Sequence, residues 1–254
     1  MHNRMMQLMH DNAKATARMP LKAEVNGDEA VLYLYDVIVS SELEAEWWGG
    51  IAPESFVKEL NTITSSVIHL RINSPGGAIF AARSIEAAIR AHSSKIIAHV
   101  DGYAASAASF IAVACDEVEI AKGGFIMIHK GWTCACGNSD DFIGTAELLE
   151  KVDGTMAQTY ADETGQSVED IIHMMAEETW LTGQESVDLG FADRLADESP
   201  KANSEWNLAA YAKAPVAEQK DNNSEPKPTP VENIQDYSFA HYERSAKLLD
   251  ITPR

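Results

Sequence analysis

Basic residues are scarce in this chain, cysteines scarcer still, and long apolar runs do not occur. Lys and Arg number 20 against 39 Asp and Glu, a formal charge of −19 over 254 residues. That balance leaves no cationic excess to neutralise phosphates, which argues against a nucleic-acid or anionic-membrane surface. The three cysteines, Cys115, Cys134 and Cys136, are too few and odd in number for a disulfide framework. Cys134-Ala-Cys136 has no second Cys or His pair at ligand spacing beside it, so it reads as two reduced thiols in a loop, and neither a metal nor another cofactor is expected. No run approaches the roughly 18 apolar residues of a membrane span. The opening "MHNRMMQLMHDNAKATARMP" lacks the continuous apolar stretch of a secretory signal, so a cytosolic location is expected.

What the chain does have is a 45% apolar fraction, enough to fill one large core or two small ones. Residues 1–20 read as a flexible leader. "KAEVNGDEAVLYLYDVI" is strand-like about Asn26-Gly27, a hairpin signal, and "APESFVKELNTI" opens a helix at Pro53. Then "VIHLRINS", "KIIAHV", "EVEIA" and "FIMIHK" read as strands, alternating in part with the helical runs "GAIFAARSIEAAIRAH" and "SAASFIAVAC". A long helix, "DDFIGTAELLEKVDGTMAQTYADETG", and a shorter one, "SVEDIIHMMAEE", follow. This alternation predicts an α/β layered domain with mostly parallel strands over residues 21–198. From residue 199 to 254 the composition becomes that of a Pro-rich acidic linker, ending in a short segment, "IQDYSFAHYERSAKLL", with helical character.

Three local features carry chemistry. "INSPGG" (residues 72–77) is a strand stopping at Pro75 and turning through two glycines into a helix, a geometry that turns backbone N–H groups outward. The Gly-Lys-Ser/Thr ending of a phosphate loop is absent. "DGYAASAAS" places Ser106 at the mouth of a helix of small residues, where unpaired N–H donors favour developing negative charge. Read alone, that serine is equally an N-cap packed for size. "FIMIHKG" ends an apolar strand with His129, placed to reach into a cleft; a lone histidine there also has an ordinary structural reading.

In order, "INSPGG", "DGYAASAAS", "MIHKG", "TGQSVEDI" and "ETWLTGQESVDLGFAD" resemble the ClpP-type serine peptidases over residues 21–197. "YLYDVI", "ASAAS" and "ETWLT" are most similar to the phage and prophage branch, the head maturation proteases; cellular members carry Met-Gly where Ala107-Ala108 stand. The resemblance implies a ClpP/crotonase-like fold of repeated β-β-α units with a protruding handle helix and a disordered C-terminal tail. It implies Ser106 as nucleophile and His129 as base, with Gly77 and Ala107 donating to the oxyanion. Glu178 stands where the cellular family has an aspartate, with Glu177 the neighbouring alternative. The apolar stripe Leu148, Leu149, Val152, Met156 and Tyr160 then reads either as packing on its own domain or as the handle between rings. The expected partners are protein substrates, capsid and scaffold proteins among them, and further copies in homo-oligomeric rings, in the host cytoplasm or inside the immature head. A degradative peptidase working with an ATPase, a crotonase-like acyl-CoA enzyme and a non-catalytic assembly protein stay open as alternatives.

Overall fold

The computed structural model describes residues 4–15, 18–197 and 206–215. In chain order the elements are α1 (Arg4–Asn12), β1 (Glu24–Asn26), β2 (Glu29–Leu34), α2 (Glu42–Trp48), α3 (Pro53–Leu60), β3 (Val67–Ser74), α4 (Ile79–Ala91), β4 (Lys95–Ala105) and α5 (Ala107–Ala112). They continue with β5 (Glu117–Ile120), β6 (Phe125–Ile128), α6 (Ser139–Thr164), α7 (Val168–Ala176), β7 (Thr179–Thr182), α8 (Gly183–Asp188) and β8 (Arg194–Leu195). The expected hairpin forms between β1 and β2, with Asn26 opposite Glu29 and Gly27 at φ 65°. Beyond it the strands run in the order β2-β3-β4-β5-β8, all parallel.

Alternation along the strands sets the layers. Ile68, Leu70 and Ile72 of β3 and Ile96, Ala98 and Val100 of β4 are buried on one face, packed with Phe56, Ile85 and Phe110 from the helices. On the opposite face the intervening residues make polar ladders: His69 to His99 to Glu119, and Tyr35 and Arg71 on Asp101. At the carboxyl ends of β3 and β4 this second face is buried too. There Val37, Val39, Ala105 and Met127 pack with Leu8 and Met9 of α1 and with Trp206, Leu208 and Tyr211.

β4 is the element that builds the site. Ile97 to Val100 pair with β5, but Tyr103 to Ala105 pair with β6, which in turn pairs antiparallel with β7. Gly102 therefore marks a change of partner, and β4 runs past Val100, where the strand read as "KIIAHV" ends, to Ala105. α6 opens on a reciprocal capping box between Asn138 and Asp141 and closes on Gly165 at φ 73°. Its carboxyl half packs on the domain through Met156, Ala157 and Tyr160, while Phe142, Ile143 and Leu148 in its first half are exposed. The expected stripe is thus divided between core and surface.

The stretches expected as leader and tail both contribute contacts here. Within 1–20, α1 buries Leu8 and Met9; within 199–254, residues 206–215 lie against α1 and the strand ends. Asn12 clips the two together, accepting from the Asn207 N–H at 2.7 Å and donating to the Asn207 carbonyl at 2.9 Å. The remainder of the tail, including the expected terminal helical segment, lies outside the described residues. Among the described residues no helix is long and apolar enough to cross a membrane.

Candidate active site

Ser106 follows β4 directly and precedes α5. Its φ of 54° and ψ of −122° lie in a region that L side chains rarely adopt. Among the described residues only Ser106 and Glu178 (φ 49°) are non-glycine residues with positive φ, and strain of this kind collects at functional sites. The turn is held by the Ser106 N–H donating to the Met127 carbonyl at 2.8 Å, which continues the β4–β6 ladder. Ala105, Ala107 and Ala108 around it are buried, so only small residues fit. Ser106 Oγ and His129 Nε2 are 2.8 Å apart. Ser109, the other hydroxyl of the motif, is buried in the core and bonds to the Ser106 carbonyl and the Tyr160 hydroxyl.

"SPGG" packs edge-on against this turn. The Ile38 N–H donates to the Gly76 carbonyl and the Ala78 N–H donates to the Ile38 carbonyl, at 2.8 and 2.9 Å. This parallel bridge turns the intervening Gly77 N–H away from Ile38. Gly77 lines a cleft of about 660 Å³ together with Ser106 and His129. A Cβ on Gly77 (φ 147°) would overlap the Ile38 backbone, and one on Gly76 (φ 91°) would overlap the Ala105 carbonyl. Ala107 is the first residue of α5, so its N–H has no carbonyl one turn back to bond. Two N–H groups therefore flank the serine, as an oxyanion site requires.

His129 follows β6, and the next two residues are clamped. The Lys130 N–H donates to the Met175 carbonyl and the Gly131 N–H to Asp153 Oδ1. The imidazole is only 8% exposed. Burial pushes its pKa down to about 4, opposed by the negative charge of Glu178 and a hydrogen bond with the Lys130 backbone. The ring is thus neutral near pH 7 and able to accept a proton.

Glu178, at the turn between α7 and β7, is near enough for its charge to act on His129, yet no hydrogen bond joins the two among the described residues. Its Oε1 accepts from the Lys213 N–H at 2.5 Å and from Trp180 Nε1 at 3.3 Å, and its Oε2 accepts from the Ala212 N–H at 2.9 Å. Glu177 instead forms an exposed ion pair with Lys213. The structure thus joins Ser106 to His129, sets Gly77 and Ala107 beside them, and places Glu178 nearby with its carboxylate bound elsewhere. Sequence reading missed Trp206 and Tyr211, whose signal was a pair of aromatics in an otherwise linker-like stretch. Among the described residues no His, Cys, Asp or Glu cluster has the geometry of a metal site.

Comparison with known proteins agrees with the geometry. The profile of the Clp protease family matches residues 52–199, more than half of the chain, and spans Ser106, His129 and Glu178. The ATP-dependent Clp protease proteolytic subunit of Streptococcus agalactiae serotype V is 30% identical over 134 residues, 51% of this chain and 68% of that protein. Subunit 2 from Rhodococcus jostii is 30% identical over 137 residues, covering 53% and 70%. The Ligilactobacillus salivarius protein is 31% identical over 136 residues, covering 53% and 69%. With its mostly parallel sheet and its serine–histidine pair at the ends of adjacent strands, the chain belongs to the Clp protease family.

Proposed function

We propose that this chain is a serine endopeptidase in which Ser106 is the nucleophile, His129 the general base and Glu178 the acid that orients and charge-stabilises the imidazole. The observation that carries the reading is the 2.8 Å contact between Ser106 Oγ and neutral His129 Nε2, at a strained turn flanked by two backbone donors. His129 takes the hydroxyl proton as Oγ attacks the peptide carbonyl, and the Gly77 and Ala107 N–H groups hold the oxyanion. The imidazolium then protonates the leaving amine, and water, deprotonated by the same ring, releases the acyl group and restores Ser106.

The substrates fitting the phage-branch motifs are scaffold and capsid proteins of an immature head, cut without an ATPase. "ASAAS", "ETWLT" and the acidic surface support that assignment. The exposed apolar side chains on the first half of α6 support ring assembly through that helix. A second reading, degradation in partnership with an unfoldase, is favoured by the matched relatives, which are named ATP-dependent. The test is fluorophosphonate labelling with peptide mass mapping, using Ser106→Ala as control, followed by cleavage of scaffold protein with and without an ATPase. An adduct on Ser106 and ATPase-free cleavage support the first reading. Labelling with strictly ATPase-dependent cleavage supports the second, and absence of any adduct even after prolonged exposure, together with absence of cleavage, refutes both.

A further inference from the structure

Residues 206–215 touch the site more closely than a linker needs to. The Tyr211 ring packs edge-on to the His129 imidazole with centroids 5.5 Å apart, and against Trp180 at 5.8 Å. Its hydroxyl donates to the Pro75 carbonyl of "SPGG" at 2.5 Å and is within hydrogen-bonding influence of Ser106. Tyr211 is 5% exposed. Trp206, also buried, donates through Nε1 to the Asn73 carbonyl at 3.1 Å. The next two residues after the tyrosine supply the backbone N–H groups that fill both oxygens of Glu178. The Lys213 side chain anchors this end on Glu177, and Asn207 anchors the other on Asn12.

We propose that residues 206–215 form an autoinhibitory strap that keeps the Ser106–His129 pair latent by engaging the Glu178 carboxylate that would otherwise bond to His129. The inference rests on the peptidase reading above. A carboxylate accepting two backbone N–H bonds is held firmly, because charge-assisted bonds of this kind are short and strong. While it is so held, Glu178 acts on the imidazole through its charge alone, and the direct carboxylate bond that would further stabilise the charged ring during proton transfer is withheld. Burial dominates the electrostatics of His129, and the Glu178 charge offsets it only in part. The substrate side of the cleft, lined by Gly77 and Trp132, remains open. The strap therefore disarms the site without occupying the whole groove. Aromatic packing supplies the adhesion and two backbone N–H groups supply the inhibition.

The test uses the full chain. Trp206→Ala with Tyr211→Ala removes the adhesive contacts, whereas Ala212→Pro removes one Glu178 donor and leaves both aromatics in place. Hydrogen exchange of the peptide spanning 206–215 reports whether the strap is docked, and the rate of fluorophosphonate adduct formation on Ser106 reports latency. The expected result is a strap protected in wild type and unprotected in the double variant, with labelling accelerated at least tenfold. The lower pH midpoint of labelling should also rise, since freed Glu178 favours protonated His129. Ala212→Pro should give an intermediate acceleration. Wild type that labels as fast as either folded variant, or variants that label more slowly, would overturn the strap while leaving the peptidase reading standing. An exchange-released strap with Ser106 still unlabelled would sink both.

Discussion

The backbone strain at Ser106 gives a measurable prediction. Replacing Ser106 by alanine or by glycine removes the same hydroxyl and the same contact with His129, so the difference between the two variants isolates the cost of holding a Cβ at φ 54° and ψ −122°. A non-glycine residue in such a region costs about 1–3 kcal/mol. Glycine gives back about 0.4–1 kcal/mol by enlarging the entropy of the unfolded chain. The glycine variant should therefore be the more stable by roughly 1 kcal/mol, about 2–4 °C in Tm for a chain of this size. Both variants should be inert to the serine probe. Paired thermal and denaturant melts of the two proteins provide the assay. A glycine variant that melts with or below the alanine variant would refute the idea that the turn is strained, and with it the claim that the fold holds this serine under tension.

Two further outcomes follow from buried charge. The unfolded chain protonates His129 near pH 6.5 but the folded chain only near 4, so in that window the unfolded state binds the extra proton. Stability should fall as pH drops from 6.5 towards 4, by up to about 3 kcal/mol; chemical denaturation at stepped pH checks this, and His129→Gln should flatten that part of the profile. Asp101 has a side chain only 3% exposed, paired with Arg71 and accepting from Tyr35. Arg71→Met should cost about 3–5 kcal/mol by leaving that carboxylate without its cation, while Arg71→Met with Asp101→Leu should recover much of the loss. A double variant no better than the single one would show that the pair stabilises beyond its own charge balance.

The residues of the Ser106–His129 contact and the glycine turn were legible because each is local: a serine among alanines, a histidine ending an apolar strand, two glycines after a proline. The order of the five motifs then tied them to one family. What the residues did not disclose depends on long-range pairing. Gly102 looks like a strand terminator because glycine usually is one, yet β4 runs through it by exchanging β5 for β6. "TWLT" is too short to declare itself a strand, and it becomes one only because β6 offers an open edge. The docking of α1 and residues 206–215 is hidden by composition. The apolar residues of α1 are few and lie in a polar stretch, and the contact between Asn12 and Asn207 spans 195 positions.

The strain at Ser106 also follows from the sheet itself. In β4 and β6, Ala105 is the partner of Met127, and partnered residues in a parallel pair present their side chains to the same face. Alternation then assigns Ser106 to the face of Ala104 and Ile126, and His129 to the face of Ala105 and Met127. Were both strands simply prolonged, the serine and the histidine would point to opposite sides of the sheet and could not meet. One of them has to leave the pleat. The chain breaks β4 at the serine with a positive φ, which swings Oγ across to lie 2.8 Å from Nε2 and starts α5 at the next residue. The turn that brings Ser106 to His129 also leaves the Ala107 N–H without a helical partner. An unpaired backbone donor and the serine–histidine contact are thus two products of one backbone distortion. A glycine at position 106 would relax the turn but remove the hydroxyl it serves.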